Sequence, residues 1–176
     1  MPKPGVQLDE HSAMIVSKYF KTKEDFKNLE LACKKFGDNI EKFRYNPIPL
    51  TDKKTRGLFP NLETQYIYSE EDTVFTDGKI KMYHIEKNVK FYKCPNVNAL
   101  TSIKLYKMEK ITGVMFADLK KIKKIILPDS VEEIGEGAFD ECANLQTVYM
   151  KGGEFHDALK QEIMDQCGHE VEFVRK

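Results

Sequence analysis

No window of the sequence comes near 18 consecutive apolar residues, so no helical membrane span is expected. The opening stretch, Met1-Pro2-Lys3-Pro4-Gly5, carries no apolar run and predicts no secretory signal. Net charge is missing as well. Lysine plus arginine and aspartate plus glutamate stand at 28 each, which argues against a generic nucleic-acid binder. Cysteine is sparse. The four residues Cys33, Cys94, Cys142 and Cys167 lie far apart with no CxxC, as in the reduced thiols of a cytoplasmic or nuclear protein, and a cytoplasmic place is expected. A disulfide pair is the alternative.

Catalytic signatures are also lacking. No GxxxxGK[ST] loop cradles a phosphate, and Gly135-x-Gly137 has no third glycine. His11, His84, His156 and His169 show no HExxH spacing, so no zinc site is expected. Glu70-Glu71-Asp72 lacks the ligand spacing of a calcium loop. The sequence predicts no catalytic residue, no metal and no cofactor.

What is present begins with enough apolar surface for a core: 41% of the 176 residues are hydrophobic and 32% charged. The neutral total hides an arrangement. Residues 100–127 hold seven basic and two acidic residues, whereas residues 128–176 hold four and twelve. A basic band therefore adjoins an acidic C-terminal third.

The chain repeats itself. Ile111, Phe116, Leu119, Ile122, Ile125 and Leu127 are followed, each 23 residues on, by Ile134, Phe139, Cys142, Leu145, Val148 and Met150. The kernel is apolar-x-x-apolar-x-apolar. It recurs as Ile40/Phe43/Tyr45, Leu62/Gln65/Ile67, Ile80/Tyr83/Ile85, Leu100/Ile103/Leu105, Ile122/Ile125/Leu127, Leu145/Val148/Met150 and Gly168/Val171/Phe173, more weakly where Gln65 replaces an apolar residue and Gly168 an aliphatic one. The fourth and sixth positions are two apart, so a short strand points both inward. One such unit cannot bury its own apolar side. Units must stack, and their strands then form a parallel sheet.

The stretch Leu127-Pro128-Asp129-Ser130-Val131-Glu132-Glu133-Ile134-Gly135-Glu136-Gly137-Ala138-Phe139-Asp140-Glu141-Cys142-Ala143-Asn144-Leu145 resembles the BspA-like leucine-rich repeat. Phe91-x-x-Cys94 echoes its Phe-x-x-Cys step. The resemblance covers residues 80–150 directly and 40–176 by extension. It implies an α/β leucine-rich-repeat solenoid with a short-stranded parallel sheet, used for protein–protein contact without catalysis. A surface-adhesin role, known in such proteins, would need export.

Residues 8–36 change period and predict two helices. Leu8, Val16, Tyr19 and Phe20 form one apolar stripe; Phe26, Leu29, Cys33 and Phe36 form another, stopped by Gly37. Thr22 and Asp25 sit at the spacing of a capping box. The segment resembles an F-box, with Leu8, Val16, Tyr19, Phe20, Asp25-Phe26, Leu29, Cys33-Lys34 and Phe36 in register. Asp9, His11 and Ser12-Ala13 depart from that pattern. The resemblance implies a Skp-type adaptor of a cullin ubiquitin ligase as partner, held by Leu8, Val16, Tyr19 and Phe20. The alternative is a helical cap (residues 1–38) over the open end of the repeat (residues 39–176).

In the strand kernel, the third and fifth positions face the concave surface. The predicted partner-binding column is Arg44, Tyr66, His84, Lys104, Lys124, Tyr149 and Glu172, with Tyr68 and Tyr106 just beyond the strands. A terminal helix is expected over residues 154–167, with Phe155, Ala158, Leu159 and Ile163 inward. A last strand, Glu170–Val174, would leave an open edge able to form a homodimer.

Overall fold

The computed structural model describes residues 8–150 and 157–175. Helix α1 (Glu10–Ser17) starts where Asp9 accepts the Ser12 N–H at 2.6 Å. Helix α2 (Lys23–Ala32) starts at the expected capping box: Thr22 Oγ1 accepts the Asp25 N–H, and the Asp25 carboxylate accepts the Thr22 N–H. It ends sooner than Gly37. Cys33 is extended and exposed, and Lys34–Phe36 form a separate short turn. The inward face of α1 also differs from the expected stripe. Ala13 and Ser17 are buried there, while Val16 and Tyr19 point to solvent. Asn39 Nδ2 donates to Ser17 Oγ at 3.1 Å, which makes a buried serine tolerable.

Phe26 is the hub of the N-terminal core. It is fully buried and meets Phe20, Phe43 and Phe59 edge-on at 5.1, 5.6 and 5.2 Å. Ile40, Ile48, Leu50, Leu62 and Phe75 complete this cluster.

Beyond a short helix, α3 (Lys53–Leu58), come strands β1 (Thr64–Ile67), β2 (Met82–Ile85), β3 (Ser102–Lys104), β4 (Lys110–Ile111), β5 (Lys124–Leu127), β6 (Glu133–Ile134) and β7 (Thr147–Met150). Helix α4 (Asp157–Cys167) and strand β8 (Glu172–Arg175) follow. All pairings are parallel: β1 with β2, β4 with β6, and a sheet in the order β3-β5-β7-β8. The 23-residue offset is the real register, since Ile125 faces Val148 and Ile111 faces Ile134. Leu100, Ile103, Leu105, Ile122, Ile125, Leu127, Leu145, Val148 and Met150 are at most 4% exposed, as the kernel requires.

Three registers slip from the expected ladder. Tyr45 bridges Thr64, so Tyr45 rather than Arg44 turns toward the sheet surface. The neighbouring Asn46 is fully buried; its Oδ1 accepts the Tyr66 N–H and its Nδ2 donates to the Tyr66 carbonyl. A side-chain amide thus stands in for a strand. Tyr83 bridges Leu105 instead of facing Ile103, which puts His84 beside Tyr106 and not Lys104. Finally, Val148 faces Phe173, two residues later than expected. Gly168 closes α4 in the left-handed region (φ +71°) with its N–H on Met164, and the strand begins only at Glu172. In α4 itself Leu159 and Ile163 are buried as expected, Ala158 is exposed, and Phe155 lies outside the described residues.

On the opposite side Phe91, Phe116 and Phe139 line up, Phe91 edge-on to Phe116 at 6.0 Å and Phe116 stacked on Phe139 at 5.6 Å. Gln166 of α4 closes its end, accepting the Phe139 N–H and donating to the Gly135 carbonyl. Of the residues this layer holds at positive φ, which include Asp118 and Glu141, Val114 is β-branched and the most strained. Val114 has φ 54°, where the next repeat places Gly137 at φ 68°. A β-branched residue pays about 1–2 kcal/mol there, and Val114 is 37% exposed, so it returns little by burial. Val114→Gly should therefore stabilise the chain by about 0.5–1 kcal/mol after the extra unfolded-state entropy of glycine is set against it. Urea denaturation reads this, and a loss of stability would show that Val114 packing outweighs the strain.

Candidate functional site

The strand face carries a row of half-exposed rings. Tyr45 stacks on Tyr66 at 5.0 Å, and Tyr66 lies 4.5 Å from His84. His84 lies 6.4 Å from Tyr106, and Tyr68 sits 6.2 Å from Tyr66. The first two register slips create this row, because each puts a tyrosine (Tyr45, Tyr106) where the regular ladder would put a charge (Arg44, Lys104). The row is also anchored. Tyr68 donates its hydroxyl to the Asn46 carbonyl. His84 Nδ1 is 3.0 Å from the Tyr106 carbonyl, an obligate acceptor, so Nδ1 carries the hydrogen. Glu86 lies 3.5 Å from His84 Nε2. Burial and the neighbouring Tyr106, Tyr45 and Glu86 push the Tyr66 phenol upward, so it remains a neutral donor at neutral pH.

The expected column is thus redistributed. Tyr66 and His84 lie in the aromatic row. Arg44 is exposed outside it, its guanidinium near the Asn61 carbonyl at 3.5 Å. Lys104 and Lys124 lie together on β3 and β5, both exposed. Tyr149 is half-buried between Ile126 and Val174. Glu172 shares the Thr147 row and not the Tyr149 one. Tyr45, which the kernel turns inward, and Tyr106, expected just beyond the strands, join the row because the actual pairings are Tyr45 with Thr64 and Tyr83 with Leu105. The buried Asn46 was the available signal, an amide at a position that needs hydrogen-bond partners.

A second surface lies on the helices. Leu8, Ile15, Val16, Tyr19 and Leu31 are 40–84% exposed. Phe20 is not part of it, since it packs on Phe26. Ile15 and Leu31 are exposed apolar residues that the sequence expectation does not include.

A family model for the BspA type leucine rich repeat region matches residues 66–168 in six copies. The chain belongs to this family. No curated protein and no solved structure matches it. Leucine-rich repeats of the BspA type generally mediate protein–protein interaction, and the strand face is where this chain gathers aromatic side chains.

The BspA-type signature cysteines are unsuited to nucleophilic work. Burial pushes Cys94 up to about 12 and Cys142 up to about 11. The Cys142 thiol donates instead to the Phe116 carbonyl of the preceding unit at 3.0 Å. Among the described residues no group of three His, Cys, Asp or Glu side chains is placed to hold a metal ion. Nor, among them, is any helix long and apolar enough to cross a membrane.

Proposed function

We propose that the chain is a non-catalytic leucine-rich-repeat solenoid, acting in the cytoplasm, which holds a protein partner on its concave strand face. Residues 1–38 serve as the helical cap and residues 39–176 as the recognition module. The observation that carries this reading is the continuous row of Tyr45, Tyr66, His84 and Tyr106, with rings 4.5 to 6.4 Å apart. Tyrosine is enriched among residues that dominate binding energy, and rings already stacked lose little freedom on docking.

The test is capture of a cross-linked partner from the native cell. Tyr66→Ala with Tyr106→Ala should reduce retention at least about tenfold, the effect of losing roughly 1.4 kcal/mol. Arg44→Ala should leave it unchanged, because Arg44 lies outside the row. Equal loss from all three substitutions would place the partner elsewhere.

A second reading rests on the exposed apolar side chains Leu8, Ile15, Val16, Tyr19 and Leu31. Several large apolar side chains left in solvent on one short segment are the raw material of an interaction site. The F-box resemblance supplies a Skp-type adaptor as its partner, which would make the chain a substrate adaptor of a cullin ubiquitin ligase. Co-expression with that adaptor should give a complex that Val16→Asp and Tyr19→Asp abolish. Elution of the two proteins as separate species would remove this reading.

A further inference from the structure

We propose that the segment held on the strand face is an extended, acidic one, with two carboxylates two residues apart followed by an aromatic or aliphatic side chain. This rests on the strand-face reading above and specifies its partner.

The charge argument comes first. Lys42, Lys81, Lys93, Lys110, Lys120 and Lys160 each have an acid within 4 Å. Lys104 and Lys124, both exposed, have none among the described residues, as is true of most of the chain's lysines; what sets these two apart is their place, side by side on the paired strands β3 and β5. They are the lysines of the strand face, and they lie next to the aromatic row. Lys107 adds a third cation at the junction, its ammonium 5.4 Å from the Tyr106 ring centre.

The register then fixes a path. Lys104 faces Ile126, so Lys124 lies one strand over and two residues back. Strand spacing and rise place their Cα atoms about 8 Å apart. The bridge between Tyr83 and Leu105 puts Met82 beside Lys104, and the same diagonal step reaches His84. Since His84 faces Tyr66, one more step reaches Tyr68. Lys124, Lys104, His84 and Tyr68 therefore form a straight diagonal across four strands. An extended chain presents every second side chain to one side, about 6.6–7 Å apart. The flexible lysine stems absorb the small mismatch. Such a segment sets acid-x-acid over the two lysines and its next facing residue against His84, Tyr66 and Tyr106.

Polarity is set at both ends. Glu86 beside His84 repels a carboxylate from the aromatic end. Glu172, in the row Lys124–Thr147–Glu172, repels one from the far side. The acidic pair is confined to the middle.

The experiment selects a random-peptide display library on the whole chain and measures synthetic copies of the enriched peptides by fluorescence anisotropy. The expected outcome is enrichment of acid-x-acid-x-apolar peptides. Their affinity should fall at least tenfold on Lys104→Glu with Lys124→Glu, and lysine-for-glutamate copies should bind that variant in their place. Both positions are exposed, and an unchanged melting temperature verifies that the variant is folded. Peptides that depend on Tyr66 and Tyr106 but show no acidic bias would overturn this inference and leave the strand-face reading standing. Peptides indifferent to Tyr66, Tyr106 and both lysines would overturn both. Self-association abolished by the double substitution would make a second copy the occupant and overturn the peptide assignment.

Discussion

Gly135→Ala is expected to destabilise the chain by about 3 kcal/mol or more, and to do so without touching any side chain. A Cβ at Gly135 would lie 2.4 Å from the Gly113 nitrogen and 2.9 Å from the Thr112 carbonyl carbon. Both obstacles are backbone, and neither can rotate away. The contact is tight because the Gly135 N–H donates to the Ile111 carbonyl at 2.7 Å, drawing the two units together where β4 and β6 pair. Gly113 meets the same wall from the other side, its Cβ falling 2.8 Å from the Glu136 carbonyl oxygen. Either substitution must part β4 from β6 or displace a turn, and overpacking of this kind costs about 1–3 kcal/mol even where side chains can yield. Gly57→Ala is the contrast. It lies within α3 with nothing within 4 Å of its Cβ, and should stabilise by about 0.5–1 kcal/mol. Urea titrations of the three variants, followed by circular dichroism, separate the cases. A loss below about 1 kcal/mol at Gly135 would mean that the units are held less closely than the β4–β6 pairing shows.

The central units were legible because each of their core positions is apolar and their spacing is constant. Ile122, Ile125 and Leu127 need only the alternation of a strand to be placed, and Leu145, Val148 and Met150 follow them at the same offset. The candidate surface was less legible, for a physical reason. Surface columns depend on which residue faces which across neighbouring units, and a slip of two residues preserves inward and outward alternation while moving every neighbour. Tyr83 remains buried at either register, but only the actual one sets His84 against Tyr106. The first slip was hidden differently. Asn46 replaces main-chain pairing with its own amide, and no periodicity of apolar residues records that. Gln65 behaves alike. It occupies an apolar position fully buried, donating to the Thr73 carbonyl and accepting the Phe75 N–H. What reads as a weak repeat is a unit whose polar core residue fastens a long excursion of the chain between β1 and β2.

That excursion supplies the other large expected effect: Asp72→Ala should destabilise the chain by about 3 kcal/mol or more. Asp72 is fully buried and accepts three backbone hydrogen bonds, from Leu50 at 2.7 Å, Tyr68 at 2.7 Å and Ser69 at 3.1 Å. Alanine leaves three N–H groups without their acceptor, each costing about 1–3 kcal/mol where water cannot replace it. The consequences reach the aromatic row, because the Tyr68 N–H is one of the three and the Tyr68 ring lies beside Tyr66. Asp72→Asn keeps the shape and one acceptor oxygen, and should cost less. It also isolates a pH effect. Burial pushes the Asp72 carboxyl above its ordinary value, outweighing the three N–H groups that favour the anion. The folded chain therefore keeps the proton at a pH where the unfolded chain has released it. The stability Asp72 contributes through its proton is fully present below the unfolded value of about 3.9 and is lost as pH rises through the higher folded value. The stability margin of the native chain over Asp72→Asn should accordingly narrow as pH is raised from about 4 toward neutrality, in paired urea titrations. A margin that widens over the same range would show that the three hydrogen bonds, and not burial, set the charge of this carboxyl.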